Sequence, residues 1–325
     1  MHSRIIFRIA AALLAIASSL VAPATFAQPY PARPVRIIVP FPPGQGTDVA
    51  TRLLAERLTS ALGRNFIVEN RPGAGAAIGT EALAKSTPDG YTLGIGTAGT
   101  HTMNPSLFPT LGYDPEKDFE PITLTGMLPL MIAAHPSFPA NTIAELIAAA
   151  RQRPDTINVA LPAPPQRVAF ELLRRQGEAP LFGIPYKGSA SALPEVMSGQ
   201  VPLILDSITA LRPHVNAGKL KALAVTSLKS SELMPGVKSV AEQGLAGYEL
   251  TAWNAFFAPK GTPAPVIALL NEELHRILKQ PETRTRLMSL GFEPALTTPQ
   301  ELADMVRIER EKWGRIIRAA NIRAD

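Results

Sequence analysis

One stretch of the chain decides the fold, Val39-Pro-Phe-Pro-Pro-Gly-Gln-Gly-Thr-Asp48. It lies between an apolar run at 35–39 and an amphipathic run at 49–58, so it predicts a strand, a turn and a helix. Thr47 and Asp48 are the candidate N-cap residues of that helix. Gly44 and Gly46 have no side chains to cover the backbone amides, and uncovered N–H groups at the start of a helix bind anions. The stretch therefore predicts a site for a negatively charged small molecule.

The pattern of strand, glycine-rich loop and helix recurs along the first third of the chain. A strand at 65–69 precedes Asn70-Arg-Pro-Gly-Ala-Gly-Ala-Ala-Ile-Gly79, and a strand at 91–95 precedes Gly96-Thr-Ala-Gly-Thr-His101. This alternation predicts an α/β fold with a parallel sheet. Ligands of such sheets bind at the carboxyl ends of the strands, so three loops should converge on one crevice.

Later segments predict a second α/β unit and a helical tail. Residues 113–120 are expected to form a surface connection, and the last helix is expected to run from about 299 to 320 and to pack on the first unit. The predicted strands of the second unit are 129–136, 157–161, 201–205 and 221–226, and its predicted helices include 168–176 and 192–198. The predicted organisation is a signal peptide at 1–27, a first lobe of 28–127 plus 229–325, and a second lobe of 128–228.

The first 27 residues have the features of a cleaved secretory signal. Arg4 and Arg8 precede the apolar run 9–21, and Thr25-Phe-Ala27 ends the segment with small residues. No later run reaches the roughly 18 to 20 apolar residues that a membrane span needs. The chain has no cysteine, which excludes disulfides, thiolate metal sites and a lipid-carrying cysteine. We expect an exported protein of a Gram-negative periplasm, not inserted in the membrane.

Charge and composition exclude several classes of function. Removal of residues 1–27 leaves 30 basic against 27 acidic residues, without a basic block, so nucleic-acid binding has no support. Gly94-Ile-Gly-Thr-Ala-Gly99 matches a dinucleotide motif, but Pro105 is expected to break the helix that the motif requires. The histidines lie at no metal-ligand spacing, although a site assembled from distant loops stays open. We expect neither cofactor nor metal.

His101 differs from the other histidines because it shares a loop with Thr97, Thr100 and Asn104 at the mouth of the predicted crevice. We expect this loop to contact a ligand. No GxSxG, SxxK or HExxH motif nominates a nucleophile or a catalytic metal. Asp48 has two open roles at this stage, as a catalytic acid or as an acceptor that fixes the turn.

Several motifs, in order, carry a resemblance that runs from about residue 30 to the C-terminus. They are Pro40-Phe-Pro-Pro-Gly-Gln-Gly-Thr-Asp48, Val68-Glu-Asn-Arg-Pro-Gly-Ala-Gly75, Pro88-Asp-Gly-Tyr-Thr92, Gly96-Thr-Ala-Gly-Thr-His101, Asn104-Pro-Ser-Leu107, Pro185-Tyr-Lys-Gly188, Gly218-Lys-Leu-Lys-Ala-Leu-Ala-Val-Thr226 and Ala258-Pro-Lys-Gly-Thr-Pro263. Together they resemble the substrate-binding proteins of tripartite tricarboxylate transporters, the Bordetella uptake gene (Bug) family.

The resemblance implies a two-lobed periplasmic-binding-protein fold of type II, with the ligand in the cleft between the lobes. It implies that backbone amides and ordered waters of the first and third loops hold a carboxylate. It also implies delivery of the ligand to a membrane permease of one large and one small subunit. Carried over to this chain, the ligand-binding residues are Phe41, Pro42, Pro43, Gly44, Gln45, Gly46, Thr47, Asp48, Thr97, Ala98, Gly99, Thr100, His101 and Asn104.

Two departures from the family pattern distinguish this chain. Gln45 separates glycines that are consecutive in the family, and Pro162-Ala-Pro-Pro-Gln-Arg167 replaces a longer run rich in Gly, Ser and Thr. Prolines remove amide donors, so Arg167 either replaces them by pairing with a distal carboxylate or is a solvated residue. The second-lobe candidates are Pro162, Ala163, Gln166, Arg167, Tyr186, Lys187 and Asp206, with Trp253 a weaker one near the crossover.

The predicted function is non-catalytic capture of a mono- or dicarboxylate by a monomeric periplasmic protein. Two alternatives stay open at the level of sequence. One is a ligand-sensing protein that reports to a membrane receptor, and the other is an exported α/β hydrolase.

Overall fold

A computed structural model describes residues 30–323 of the chain. The predicted signal peptide, residues 1–27, lies outside these described residues. Contacts divide the chain into Met1–Ala32 and Arg33–Asp325, and the helices and strands of the described residues belong to the second unit.

Strands and helices alternate along the chain, as the sequence predicted. The strands are β1 Val35–Val39, β2 Phe66–Asn70, β3 Thr92–Thr97, β4 Phe119–Ala134, β5 Asn158–Leu161, β6 Phe182–Pro185, β7 Leu203–Ser207, β8 Lys221–Val225 and β9 Thr251–Pro259. The α-helices are α1 Gly46–Leu62, α2 Ala77–Ala84, α3 Asn104–Leu107, α4 Ile143–Gln152, α5 Pro164–Gly177, α6 Ser189–Met197, α7 Ile208–Asn216, α8 Ala264–Leu278, α9 Pro281–Ser289 and α10 Pro299–Ala319. A π-helical turn, Gly99–Met103, precedes α3.

The sheet is mixed, so the predicted parallel pairing is confirmed for the first three strands but does not extend across the whole sheet. Strands β2, β1 and β3 are parallel, but β9 pairs antiparallel with β3, and β4 pairs antiparallel with β9. The strand order β2-β1-β3-β9-β4-β7-β5-β6, with β8 on β4, explains the difference. The alternation along the sequence relates only consecutive elements, whereas β9 returns from far along the chain to a central position.

Strand β4 is longer than predicted because two prolines obscured it. The sequence suggested a connection at 113–120 and a strand from 129, but one strand runs from Phe119 to Ala134. Register shifts follow Pro121 and Leu124, and such irregularities accommodate a proline inside a sheet. Tyr113 and Phe119 are buried, whereas Glu116 and Lys117 are exposed, so the predicted surface connection lies partly at the surface and partly in the core.

Three helices of the second half begin where parallel strands end. Strand β5 is followed by α5, β6 by α6 and β7 by α7, and β5 pairs parallel with both β6 and β7. Helix α5 begins at Pro164, four residues before the predicted start, because proline fits the first turn of a helix. Helix α7 was not predicted, since Pro213 interrupts its pattern. The starts of three helices therefore gather at one edge of the sheet.

The C-terminal helix α10 contributes to two hydrophobic clusters. Leu302 and Val306 pack with Ile38, Trp253 and Phe257. Trp313 and Ile317, however, belong to the cluster that contains Leu130 of β4, Val159 of β5 and Tyr248. The expectation that the tail packs on the first unit alone is therefore incomplete, because this helix is long enough to contact both parts of the sheet.

Candidate functional site

Asp48, in the first turn of α1, holds the first loop in place. Its carboxylate accepts hydrogen bonds from the Gly44 amide and from Asn70 Nδ2, both at 2.8 Å. Arg52 donates from Nε at 3.1 Å and contacts the second oxygen with Nη2 at 3.0 Å. Burial raises the pKa of Asp48, but the bonds from Arg52, Gly44 and Asn70 outweigh it and hold that pKa below its usual range. Asp48 is therefore ionised at neutral pH and fixes the turn.

The predicted N-cap roles of Thr47 and Asp48 are wrong. Helix α1 begins at Gly46, and its N-cap residue is Gln45, whose side chain makes no capping bond. The Asp48 carboxylate turns back to the Gly44 amide instead, so that amide is not free to hold a ligand. The amides of Gly46, Thr47 and Asp48, in the first turn, have no partner within the helix. These amides are the donors that the first loop retains.

A cavity of about 360 Å³ lies beside the first loop. Of the predicted first-loop residues, Phe41 and Thr47 line it. The predicted residues Pro42, Pro43, Gly44, Gln45 and Gly46 are exposed, and buried Asp48 faces the loop itself, so none of these six lines the cavity. The structure thus brings only part of the predicted first-loop set to the cavity.

The third loop supplies five predicted residues to the same cavity, Thr97, Ala98, Gly99, Thr100 and Asn104. Two reciprocal bonds fix the start of this loop, because Thr97 N donates to Thr100 Oγ1 at 2.9 Å and Thr100 N donates to Thr97 Oγ1 at 3.2 Å. Asn104 Nδ2 donates to the Gly75 carbonyl at 3.0 Å, which ties the second glycine-rich loop to the third. The predicted convergence of three loops is therefore present in the contacts.

The helix does not break at Pro105 itself, but it ends two residues later at Leu107, so the expected break occurs slightly further along the chain. The chain forms the π-helical turn Gly99–Met103 and continues into α3, in which Pro105 occupies the first turn. In π-helical spacing, the Thr100 carbonyl would need an N–H from Pro105, which has none. The Tyr113 hydroxyl donates to that carbonyl instead, at 2.7 Å. A distant side chain thus compensates for the missing donor and keeps the loop helical.

His101 does not contact the cavity, contrary to the prediction for this side chain. It is fully buried, and its ring stacks on Phe257 with centroids 4.0 Å apart. Its Nδ1 lies 2.8 Å from Thr100 Oγ1. Burial lowers the pKa of His101 to about 3, so the ring is neutral at physiological pH. Its role is to pack beneath the third loop, because only the backbone of this residue lies near the cavity-lining segment.

The second half of the chain contributes an apolar wall. Ala163 lines the cavity together with Pro164 and Pro165, two residues that the sequence analysis left out of the site. Gln166 follows on the same helix but turns away, and its Nε2 donates to Asp206 Oδ1 at 3.0 Å. Asp206, 2% exposed, also accepts from the Ser207 amide at 2.7 Å. The predicted residues Gln166 and Asp206 are thus partners of each other, behind the cavity wall.

Four other predicted second-lobe residues do not line the cavity. Arg167 lines a separate open groove with Phe170, Arg174 and Phe182 and not the cavity, so the hypothesis that it pairs with a distal carboxylate gains no support here and stays a prediction. The Tyr186 hydroxyl donates to Glu195, Lys187 is exposed, and the buried Pro162 carbonyl accepts from the Gly188 amide at 3.1 Å.

The cavity has a polar side and an apolar side. The polar side chains are Thr47, Thr97, Thr100, Asn104 and Asn254, and the larger apolar ones are Phe41, Met103, Leu107, Phe108, Leu128 and Trp253. Asn254 Nδ2 donates to Thr47 Oγ1 at 3.2 Å, which links β9 to the first loop. Asn254 was missed, although a single amide side chain in the apolar run Ala252–Pro259 was a usable signal.

Trp253, the weaker candidate, lines the cavity and is anchored from behind. Its Nε1 donates to Glu309 Oε2 at 2.9 Å, and Trp313 Nε1 donates to the same oxygen at 3.3 Å. Burial raises the pKa of Glu309 to about 7, although the two indole bonds and Lys312 oppose this rise. The carboxyl group of α10 therefore fixes the orientation of an aromatic ring in the cavity wall.

Among residues 30–323, no group of three or more His, Asp or Glu side chains is placed to hold a metal ion. In the same part of the chain, no helix has the length and apolar character to cross a membrane.

Comparisons with known proteins agree on one family. The family described as "Tripartite tricarboxylate transporter family receptor" matches residues 50–322. Protein BugT of Bordetella pertussis is 35% identical over 314 residues, which cover 94% of this chain and 96% of BugT.

Solved structures give the same result. Rpa4515 of R. palustris, solved with adipate, is 34% identical, with a TM-score of 0.76, over 90% of this chain and 98% of that one. MatC from Rhodopseudomonas palustris, with bound malate, is 34% identical, with a TM-score of 0.71, over 89% of this chain and 100% of that one. The prediction of a periplasmic-binding-protein fold is confirmed, and the hydrolase alternative is wrong, because the matching family consists of receptors.

Proposed function

The chain belongs to the tripartite tricarboxylate transporter receptor family, and from this membership we propose that it captures a small organic acid for a transporter of that type. It is a periplasmic solute-binding protein and not an enzyme. The acid is a mono- or dicarboxylate, since two similar proteins were solved with adipate and with malate.

One observation carries the proposal. The polar side of the cavity joins the first turn of α1, at Thr47, to the loop of Thr97 and Thr100. The start of a helix carries positive potential and unpartnered amides, both of which favour a carboxylate. The carboxylate lies at this polar side, and Asn254 orients the Thr47 hydroxyl toward it through their hydrogen bond. Binding of this kind needs neither a cofactor nor a metal.

Capture occurs between two lobes. The first lobe consists of residues 28–127 and 229–325, and the second lobe consists of residues 128–228. The pairing of β4 supports this division, because residues up to Pro129 pair with β9 and residues from Leu130 pair with β7. The cavity lies at this change of partner, where Leu128 and Ala252 line it. Closure of the lobes buries the acid.

The partner that receives the acid is a permease of one large and one small membrane subunit. Residues 1–27 direct the export of the chain. A sensing role, in which a membrane receptor replaces the permease, uses the same cavity. Deletion of the permease genes distinguishes the two roles, because only transport requires the permease for uptake of the acid.

A thermal-shift screen of the purified chain from residue 28 against organic acids tests the proposal. Ligand at about 1,000 times its Kd adds about 4 kcal/mol to the free energy of unfolding, so a true ligand gives a large shift. The Thr97→Val variant, which removes a cavity hydroxyl, should lose most of that shift. Absence of stabilisation by every acid would contradict the proposal.

A further inference from the structure

The hydrogen-bonding side chains of the cavity come from three parts of the chain. None of the described residues that line it is Asp, Glu, Lys, Arg or His. Its polar side chains belong to α1, to the segment after β3 and to β9, and none of them comes from α5. A second carboxylate of the ligand would have to lie against the other walls.

The opposite wall offers few donors because of its prolines. Helix α5 starts there with Pro164 and Pro165 in its first two positions. The first turn of a helix normally presents free N–H groups, but these two residues have none. Leu128 and Trp253 add further apolar surface to the cavity lining. An ionised group placed here would lose its hydration without gaining a partner.

The second anion position of the fold holds a carboxylate of the protein itself. Asp206 accepts bonds from Gln166 in the first turn of α5 and from Ser207, the N-cap residue of α7. The hydroxyl of Ser189, the first residue of α6, is a third neighbour. The starts of three helices therefore converge on the buried Asp206. Burial raises the pKa of this carboxyl group, although the hydrogen bonds from Ser189, Ser207 and Gln166 oppose the rise. In its ionised form, Asp206 repels an anion that approaches this edge of the sheet.

From these observations, and resting on the proposed function, we infer that the ligand is a monocarboxylate with an apolar body. Its single carboxylate lies beside Thr47 and Thr97, and its hydrocarbon or aromatic part lies against Phe41, Trp253 and the proline wall. Dicarboxylates are excluded by the donor-poor wall and by Asp206 behind it.

Two matched pairs of acids test the inference by isothermal titration calorimetry with the purified chain from residue 28. Hexanoate and adipate share a six-carbon chain and differ by one carboxylate. Benzoate and terephthalate share a ring and also differ by one carboxylate. The monoacid of at least one pair should bind at least roughly tenfold more tightly than its diacid, because the second carboxylate is buried without a partner. In the Asp206→Asn variant, which removes the repelling charge, this preference should decrease.

The outcomes separate the inference from the proposed function. Equal or tighter binding of adipate or terephthalate would overturn the inference and leave carboxylate capture intact. Absence of binding by all four acids and by malate would count against capture of a small acid itself, and the inference would fall with it. If Asp206→Asn does not fold, the comparison of acids on the unaltered chain decides the question alone.

Discussion

Replacement of Asp48 by alanine should loosen the first loop and weaken the whole protein. The carboxylate is 2% exposed and accepts two bonds of 2.8 Å, from the Gly44 amide and from Asn70. Hydrogen bonds to a charged group contribute about 1.5 kcal/mol or more each, so their loss amounts to about 3 kcal/mol. The Arg52 pair adds little, because half of that side chain is exposed.

Urea denaturation of the purified chain measures this effect. With a dependence on urea of about 3 kcal/mol per molar, the midpoint of Asp48→Ala should fall by about 1 M. Asp304→Ala is the matched control, because that exposed carboxylate contacts only Gln300 and Arg307 on the same helix, and its midpoint should hardly change. Equal midpoints for the two variants would refute the role given to Asp48.

The pH dependence of the same variant has a defined sign. The folded pKa of Asp48 lies below its usual 3.8, so its contribution is complete above that value and decreases as pH falls through the lower, folded value. The difference between unaltered chain and Asp48→Ala should therefore be constant from pH 5 to 8 and shrink in acid. A difference that grows below pH 4 would contradict the assignment.

Three further predictions concern the surroundings of the cavity. Gly96→Ala should lower the free energy of unfolding by about 3 kcal/mol in urea denaturation, because the new Cβ would overlap the His101 ring and lie 2.5 Å from Phe257. The control Gly46→Ala should lower it only slightly, because its Cβ meets Phe292 at 3.5 Å. Arg167→Ala should leave the affinity for the bound acid unchanged in calorimetry, since Arg167 lies in another groove; a tenfold loss would support the hypothesis of a distal pair. Burial raises the pKa of Glu309 to about 7, so this carboxyl group is protonated more readily in the folded state than in the unfolded state. Its contribution to stability is therefore lost as the pH rises through 7. Between pH 5 and 8 the Tm of Glu309→Gln should therefore fall less than that of the unaltered chain. The charged neighbours Lys312 and Glu249 are the same in both proteins. Identical pH profiles of Tm would contradict this.

The fold and the positions of the first and third loops were predictable because their signals are local. A strand followed by glycines and an amphipathic helix specifies its own geometry, and parallel strands place such loops at one edge. The positions of β4 and β9 were harder to predict from the sequence. Pro121 lies at a register shift of β4, and such a shift becomes visible only when the partner strand is known. Pairing between distant segments leaves little trace in either segment alone.

The site was less predictable, because the direction of a side chain depends on packing. His101 and Thr100 are neighbours in one loop, yet the ring of His101 stacks on Phe257 from β9 while Thr100 lines the cavity. Similarly, the start of α5 at Pro164 places Pro165 in the wall, while Arg167 lines another groove. The start of this helix therefore decides which of its residues line the cavity.

The central claim is that the cavity beside Thr47 and Thr97 is where an organic acid binds. A crystal structure of the chain with the acid that stabilises it most tests this claim directly. We expect a carboxylate within hydrogen-bonding distance of the Thr47 amide or of the Thr97–Thr100 loop, with the rest of the ligand against Pro164 and Pro165. A carboxylate bound instead in the groove of Arg167 and Arg174 would contradict it.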